Sequence, residues 1–387
     1  MDNFAILMDF STILLNLSIF EIIVGAIFLI SAIIQLTYYL VIFSKLAFYK
    51  GNIEKVTEHQ PVSVVISAHD EDYNLRKNLP SILNQDYPDF EVVVVNHAST
   101  DDTRQILEDF QRDYSNLRIV TIEQDLNFFK GKKFPLSIGI KSAKNEILLL
   151  TDADCKPTSN KWIELMASHY TSKTEVVLGY GPYIKSKGLL NLIIRYDTFM
   201  IALQYFSFAL MGLPYMGVGR NLSYRKSLFY KNKGFTSHYN ISSGDDDLFI
   251  REVASPTNTK IEISQDSFVY SEAKNTFGNW FRQKQRHLST SSSYLLKFKI
   301  LLGGFSISQL LFYLSLITLL FNNTLLIATL VIMLIVMVTK FFIQKKATSK
   351  LGENQILLFS LIGDIIYIIL MSFVTILSLT RKQGDWK

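Results

Sequence analysis

The chain has 387 residues, enough for one large domain with attachments, and 49% of them are hydrophobic, a share that points to membrane segments rather than to a wholly soluble protein. The net charge of +5 is modest and predicts no nucleic-acid partner. Cys155 is the single cysteine, which excludes an intrachain disulfide, and six scattered histidines offer no zinc-type spacing.

Four stretches are apolar over the roughly 20 residues needed to cross a hydrocarbon core of about 30 Å. They are Ile22 to Phe43, Ile300 to Phe321, Leu325 to Phe342 and Ile356 to Leu379. They divide the chain into an N-terminal membrane segment (1–49), an aqueous domain (50–294) and a C-terminal membrane domain (295–387). Met1 to Leu17 is also apolar, but Asp9 interrupts it and no basic segment precedes it, so it reads as an extension of the first helix or an interfacial segment, not a cleaved signal. Lys45, Lys50, Lys297, Lys299, Lys345 and Lys346 flank the spans, which puts these flanks and the central domain in the cytoplasm. The basic tail Arg381 to Lys387 does not fit, because three further spans leave it outside. The spans look poor in paired ionisable groups. Asp364 is an acid at mid-span, a cost of about 2.5–3.5 kcal/mol unless paired.

In the central domain Val62 to Ile66 is a β-branched run that ends in the polar loop Ser67 to Glu71. Tyr73 to Gln85 carries apolar residues at helical spacing. Phe90 to Val95 reads as a second strand with a polar end at Asn96 and His97, and Ser99 is positioned to cap the following helix. Leu117 to Glu123 is a third strand and Ile147 to Leu150 a fourth, a continuous apolar run suited to burial on both faces. Strand alternating with helix predicts an α/β domain with a mostly parallel sheet, flanking helices and polar loops gathered on one edge. Thr198 to Gly217 has no charged residue and approaches spanning length, yet Arg195 and Asp197 precede it and Pro214 follows, so a buried or interface-lying helix is expected.

The fourth strand ends in "TDAD", with Asp152 and Asp154 at the sheet edge where ligands of open α/β sheets bind. Two hard oxygen donors there can hold a divalent metal, and the metal a diphosphate. Taken alone, an Asp-x-Asp reads first as a solvated turn, and the rest of the chain has to argue otherwise. Further on come "GVGRNLSYRKSLF", "ISSGDDDLFIREVA" and "WFRQKQRHLSTSSSY". In order and spacing these motifs resemble the inverting family 2 glycosyltransferases of the membrane-embedded type, the group with cellulose, chitin and hyaluronan synthases, over about Pro61 to Tyr294.

The resemblance implies a GT-A type domain inserted between transmembrane helices and a reaction that moves a sugar from a nucleotide-sugar donor, UDP-linked, to a glycan or lipid-linked acceptor at the cell membrane. It implies Mg2+ or Mn2+ as cofactor and the bilayer as a partner; nothing in the sequence sets an oligomeric state. Residue by residue, Ser67, His69 and Glu71 resemble the first nucleotide loop. Asn96 stands where the family carries an acid toward the base or ribose. Lys132 resembles the lysine near the diphosphate. Asp154 is the implied metal ligand, with Asp152 sharing the metal or meeting the ribose or donor sugar. "GDDDL" resembles the motif of the catalytic base; alignment on Asp247 and Leu248 makes that base Asp245, with Asp246 as the alternative and Asp247 on the acceptor side. "QKQRH" resembles Gln-x-x-Arg-Trp, placing Gln283 and Arg286 at the donor diphosphate and His287 where a tryptophan borders the acceptor. Rival readings are transfer of one sugar to polyprenyl phosphate, and a non-enzymatic membrane-tethered nucleotide sensor or transporter.

Overall fold

A computed structural model describes residues 17–51, 59–124, 131–241 and 243–380. Residues 1–16, most of the apolar N-terminal stretch, and the tail 381–387 lie outside the described residues. In chain order the elements are α1 (Ile19–Ala47), β1 (Val62–Ala68), α2 (Asp72–Leu83), β2 (Phe90–His97), α3 (Thr103–Asp113), β3 (Leu117–Ile122), α4 (Lys133–Ser142) and β4 (Ile147–Asp152). Then follow β5 (Cys155–Pro157), α5 (Trp162–Ala167), β6 (Val176–Leu178), α6 (Leu189–Leu210), β7 (Leu222–Arg225), α7 (Lys226–Lys231), α8 (Asp247–Val253), β8 (Thr259–Ile261) and β9 (Val269–Ser271). The chain finishes with α9 (Phe277–Ser291), α10 (Leu296–Leu319), α11 (Leu326–Lys350) and α12 (Ser360–Thr380).

The main sheet has seven strands in the order β3-β2-β1-β4-β7-β6-β8. The four strands expected from the sequence are mutually parallel, while β7 runs antiparallel to both β4 and β6. Strand side chains alternate between two cores, as the two-residue period requires. Val65, Val93, Leu148 and Leu150 face the core shared with α4, α6 and the near ends of α1, α10 and α11; Val64, Ile66, Val94 and Leu149 face α2 and α5. Strands β1, β2 and β4 are thus covered on both sides, which is why they bury nearly every residue, whereas the edge strand β3 exposes Arg118 and Thr121. A short ribbon of β5 and β9 sits beyond the end of β4.

Four helices, Ile19–Ala47, Leu296–Leu319, Leu326–Lys350 and Ser360–Leu377, are long and apolar enough to cross a membrane. The first starts on a capping box, in which Ser18 Oγ accepts the Glu21 N–H at 3.3 Å and the Glu21 carboxylate accepts the Ser18 N–H at 2.7 Å. It packs through Tyr39 and Phe43 onto Phe305 of α10. The apolar run ends at Phe342, but the helix continues to Lys350 because Ile343, Gln344 and Ala347 are buried, Ile343 and Ala347 within the core that packs on the sheet. The expectation of unpaired spans is also corrected. Lys340 of α11 forms an ion pair with Asp364 of α12, and Tyr196 of α6 donates to the same carboxylate. Adjacent packing of the two helices supplies the partner that removes an isolated buried charge. Of the segment Thr198 to Gly217, the part up to Leu210 is, as expected, a buried helix, the end of α6, which lies across the sheet with Tyr205 donating to the Gly179 carbonyl at 2.7 Å; Met211 to Gly217 is turn and loop, not helix.

Candidate active site

The strand register gathers the expected loops. Ser67 lies beside Val95 on one neighbour and Asp152 on the other, and Ala68 lies beside Asn96. Two non-glycine residues with left-handed backbone, Asp70 (φ 54°) and Ala98 (φ 48°), turn the chain sharply after β1 and β2. The two turns hold each other: Asp70 Oδ1 accepts the Thr100 N–H at 2.7 Å, and Ser99 Oγ accepts the Asp70 N–H at 3.1 Å. Ser99 therefore does not cap the following helix, which begins four residues later at Thr103; Asp101 Oδ1 accepts the Thr103 N–H at 3.0 Å instead. Ser67 Oγ and the Asn96 side-chain oxygen are buried without a partner among the described residues, a state that a ligand can relieve. His69 Nδ1 lies 2.6 Å from the His97 carbonyl. Burial raises the Glu71 carboxyl above its ordinary value, with the charges of Asp154 and Asp152 adding to the effect, while the Asn74 amide partly opposes it at 2.6 Å.

At the end of β4, Asp152 forms an ion pair with Lys132 at the start of α4. Burial pushes Asp152 up, but Lys132, Arg220 and Arg286 more than offset this and hold the carboxyl below its ordinary value. Asp154 behaves oppositely: burial and the charge of Asp152 raise it. Ligand atoms of Asp152, Asp154 and Cys155 lie within 4.8 Å of one another. The two carboxylates suit a hard divalent cation, whose charge would relieve the repulsion that raises Asp154. The Cys155 thiol suits one poorly, since burial and then Asp154 hold it well above its ordinary value. Lys133, the neighbour of Lys132, is turned inward, donating to the carbonyls of His238 and Ile241 at 2.6 and 2.7 Å and so tying α4 to the loop before the acidic cluster.

The three acids of "GDDDL" have different surroundings. Gly244 has φ +95°, and a Cβ there would come within 2.6 Å of Leu248, so this turn admits only glycine where the resembled family often has glutamate. Asp246 accepts the Gly219 N–H and the Asp247 N–H, each at 2.7 Å. That contact explains why "GVGRN" precedes the cluster. Burial, with Asp245 and Asp247 alongside, pushes the Asp246 carboxyl up to about 7. Asp247 is buried and accepts from Thr290 Oγ1 at 2.6 Å and Tyr294 OH at 2.8 Å. Asp245 remains: half-buried, facing the cavity, with no side-chain hydrogen bond among the described residues.

Helix α9 is held in place by an ion pair between Lys284 and Asp197 of α6, both buried. Gln283 donates to Tyr183 OH at 3.2 Å. A single cavity of about 780 Å3 brings Lys132, Asp152, the three acids, Gln283, Arg286 and His287 together. Desolvation within the cavity, then the charges of Lys284 and Arg286, lower the His287 imidazole below its ordinary value, although the residue as a whole is exposed. Ser67, His69, Glu71, Asn96 and Asp154 lie outside that lining, on the sheet-edge side. Sequence reasoning missed Arg220, which lines the cavity, donates to Ser271 Oγ at 2.8 Å and sits 4.2 Å above the Tyr183 ring. An arginine inside the otherwise uncharged run "YMGVGRNLSY" was the available signal.

The model of the "Glycosyl transferase family 2" domain matches residues 63–232, and that of "Glycosyl transferase family group 2" matches residues 148–378. A probable glycosyltransferase of Bacillus subtilis is 28% identical over 262 residues, 63% of this chain and 58% of that protein. A poly-beta-1,6-N-acetyl-D-glucosamine synthase of Staphylococcus epidermidis is 33% identical over 101 residues, 25% of this chain and 23% of that protein. The chain thus spans at most about half to three-fifths of these relatives' length. In fold it is similar to a mannosyltransferase from Pyrobaculum calidifontis solved with GDP-Man and Mn2+, at a TM-score of 0.56 and 17% identity, over 90% of this chain and 98% of that one. With a family model covering more than half the chain and a GT-A-like sheet whose strand ends carry the acids, the chain belongs to glycosyltransferase family 2 and is a glycosyltransferase enzyme.

Proposed function

We propose that the chain transfers a sugar, with inversion, from a UDP-linked donor to a hydroxyl of a glycan or lipid-linked acceptor at the cytoplasmic face of the cell membrane, for cell-surface polysaccharide or glycolipid synthesis. Residues 50–294 form the transferase domain in this reading, between membrane segments 1–49 and 295–387. The observation that carries it is the state of Asp245, a carboxylate without a hydrogen-bond partner among the described residues, in the same cavity as Asp152 and Arg286. Asp246 and Asp247 are already committed to backbone and hydroxyl donors.

Asp245 takes the proton of the acceptor hydroxyl as that oxygen attacks the anomeric carbon from the face opposite the leaving diphosphate. Arg286 and Gln283, one helical turn apart, meet the diphosphate, where a guanidinium offers paired N–H donors. Ser67 and Asn96 meet the nucleoside through the buried groups left without partners, with His69 and Glu71 shaping that loop. Lys132 holds Asp152 ionised and oriented, and His287 lies beside the acceptor. Asp154, with Asp152, would hold Mg2+ or Mn2+, which supplies charge to neutralise the diphosphate. The mannosyltransferase solved with GDP-Man and Mn2+ supports both a nucleotide-sugar donor and a metal. The basic flanks at Lys45, Lys297 and Lys345 support the cytoplasmic side.

Single-turnover measurement with saturating donor, beside a UDP titration, tests the base. Asp245→Asn lowers turnover by about 10²- to 10⁴-fold with donor affinity within a few-fold. Asp246→Asn retains most turnover. Loss in the second variant alone moves the base by one residue; full activity in both sinks the mechanism.

A further inference from the structure

The cavity holding Asp245 does not end at the transferase domain. Its wall continues along α10 through Leu302, Ile307 and Leu310 and along α12 through Ile368, Met371 and Ile376, so one space joins the acidic cluster to two helices able to cross a membrane. Ile307 and Ile376 line this space while remaining 59% and 62% exposed. Ile307 shares its face of α10 with exposed Ile300 and Leu314, seven residues before and after it, and Ile376 shares a face of α12 with exposed Ile369 and Phe373. These exposed apolar stripes suit contact with lipid. Among the described residues, the cavity therefore opens sideways between α10 and α12.

This stretch of wall favours acyl chains over a sugar polymer, which needs hydrogen-bonding groups and aromatic faces throughout its path, whereas here Gln309, Tyr367 and Ser372 are set among aliphatic side chains. It is mainly aliphatic, and the hydroxyls of Ser306 and Thr375 donate to carbonyls of their own helices. A phosphate nucleophile fits no better. Asp245, Asp246 and Asp247 all line the space, while Lys284 is paired with Asp197, Lys132 with Asp152, Arg220 is held by Ser271 and the Tyr183 ring, and Arg286 is assigned above to the donor diphosphate. A phosphate oxygen also needs no general base, whereas a neutral hydroxyl does. Two buried donors lacking acceptors among the described residues, Gln309 Nε2 and Trp280 Nε1, line the same space and suit the oxygens of an uncharged headgroup.

We infer that the acceptor is a membrane lipid with a neutral hydroxylated headgroup, an acylglycerol or its glycosylated form, which enters between α10 and α12 with its chains along the aliphatic wall. This rests on the donor and base assignments proposed above. The lipid hydroxyl oxygen bonds to the anomeric carbon, the bond from that carbon to the diphosphate oxygen breaks with its electron pair leaving on the diphosphate, and the hydroxyl proton goes to Asp245. The products are an inverted glycolipid and a nucleoside diphosphate.

The test uses the full chain in phosphatidylcholine vesicles, radiolabelled UDP-glucose, UDP-N-acetylglucosamine and GDP-mannose, and three acceptors: dioleoylglycerol, undecaprenyl phosphate and a soluble oligosaccharide. Label is expected in the organic extract of dioleoylglycerol vesicles, stable to mild acid. Ile307→Trp and Ile376→Trp, one on each side of the opening, raise the dioleoylglycerol fraction needed for half-maximal rate about tenfold, while Ile317→Trp, exposed on α10 away from the cavity, does not. Label only in a water-soluble glycan, or only in an acid-labile polyprenyl product, overturns the lipid assignment while the donor reading stands. Insensitivity to both tryptophans overturns the sideways entry. Absence of both transfer and nucleoside diphosphate release with every donor sinks the proposed function itself, and this inference with it.

Discussion

Lys284 and Asp197 make the sharpest energetic test of how α9 is held. Their side chains are 7% and 2% exposed, and the pair joins the helix carrying Gln283 and Arg286 to α6. A contact pair at about 3 Å in an effective dielectric of about 20 has an attraction of about 5–6 kcal/mol. Desolvation opposes it, so the pair as a whole adds little net stability, but removing one member strands a buried charge at about 3–5 kcal/mol. Lys284→Met is therefore expected to cost about 3–5 kcal/mol, and Lys284→Met with Asp197→Asn less than either single change. Denaturant unfolding in mixed micelles, followed by tryptophan fluorescence, measures this directly. Trp280 is buried one helical turn before Lys284 and reports the same helix. If the double variant loses as much as the sum of the singles, the two groups act independently and the pair does not position α9.

Three further outcomes are expected. Asp154→Asn abolishes the metal-dependent part of UDP affinity, because an amide oxygen is a poor ligand for a hard cation; calorimetry with and without Mn2+ reads it, and unchanged metal dependence removes Asp154 from the metal site. A cysteine at exposed Lys161 stays unlabelled by an impermeant reagent in intact cells and reacts after permeabilisation, whereas labelling of intact cells places the domain outside. Burial pushes the Glu262 carboxyl up, but bonds from His169 at 2.6 Å and from Ser264 hold it below its ordinary 4.5. Its contribution to stability is present above pH 4.5 and lost as pH falls through the lower folded value; Glu262→Gln should flatten the acid limb of a thermal-stability profile, and an unchanged limb refutes the assignment.

The parallel half of the sheet was legible because its central strands are long apolar runs separated by helical periods, with β3 read from its β-branched residues at the edge. Val62 to Ile66 and Ile147 to Leu150 each bury both faces, and their polar ends mark the ligand edge. The other half was not. Val176–Leu178 and Thr259–Ile261 are three-residue strands, too short for any period to show, and β7 reverses direction at β4 with no local signal. Side-chain partnerships across distant segments were equally hidden: Lys340 meets Asp364, and Lys133 meets the carbonyls of residues 238 and 241, only through packing. The motif pattern singled out Asp245 by alignment. That Asp246 serves the Gly219 amide, and so differs in environment from its neighbour, required the fold.

The single native thiol has an experimental use of its own. Cys155 has no exposed surface and is enclosed by the β5–β9 ribbon beside the acidic strand end. Any one introduced cysteine can therefore be tagged in an otherwise unaltered chain, since the native sulfur is silent while the fold stays closed. The native sulfur is also an internal clock for opening of the strand edge. Its rate of modification in slow native labelling counts the excursions that expose this edge, and a nucleotide or metal that braces the site should lengthen the interval between them.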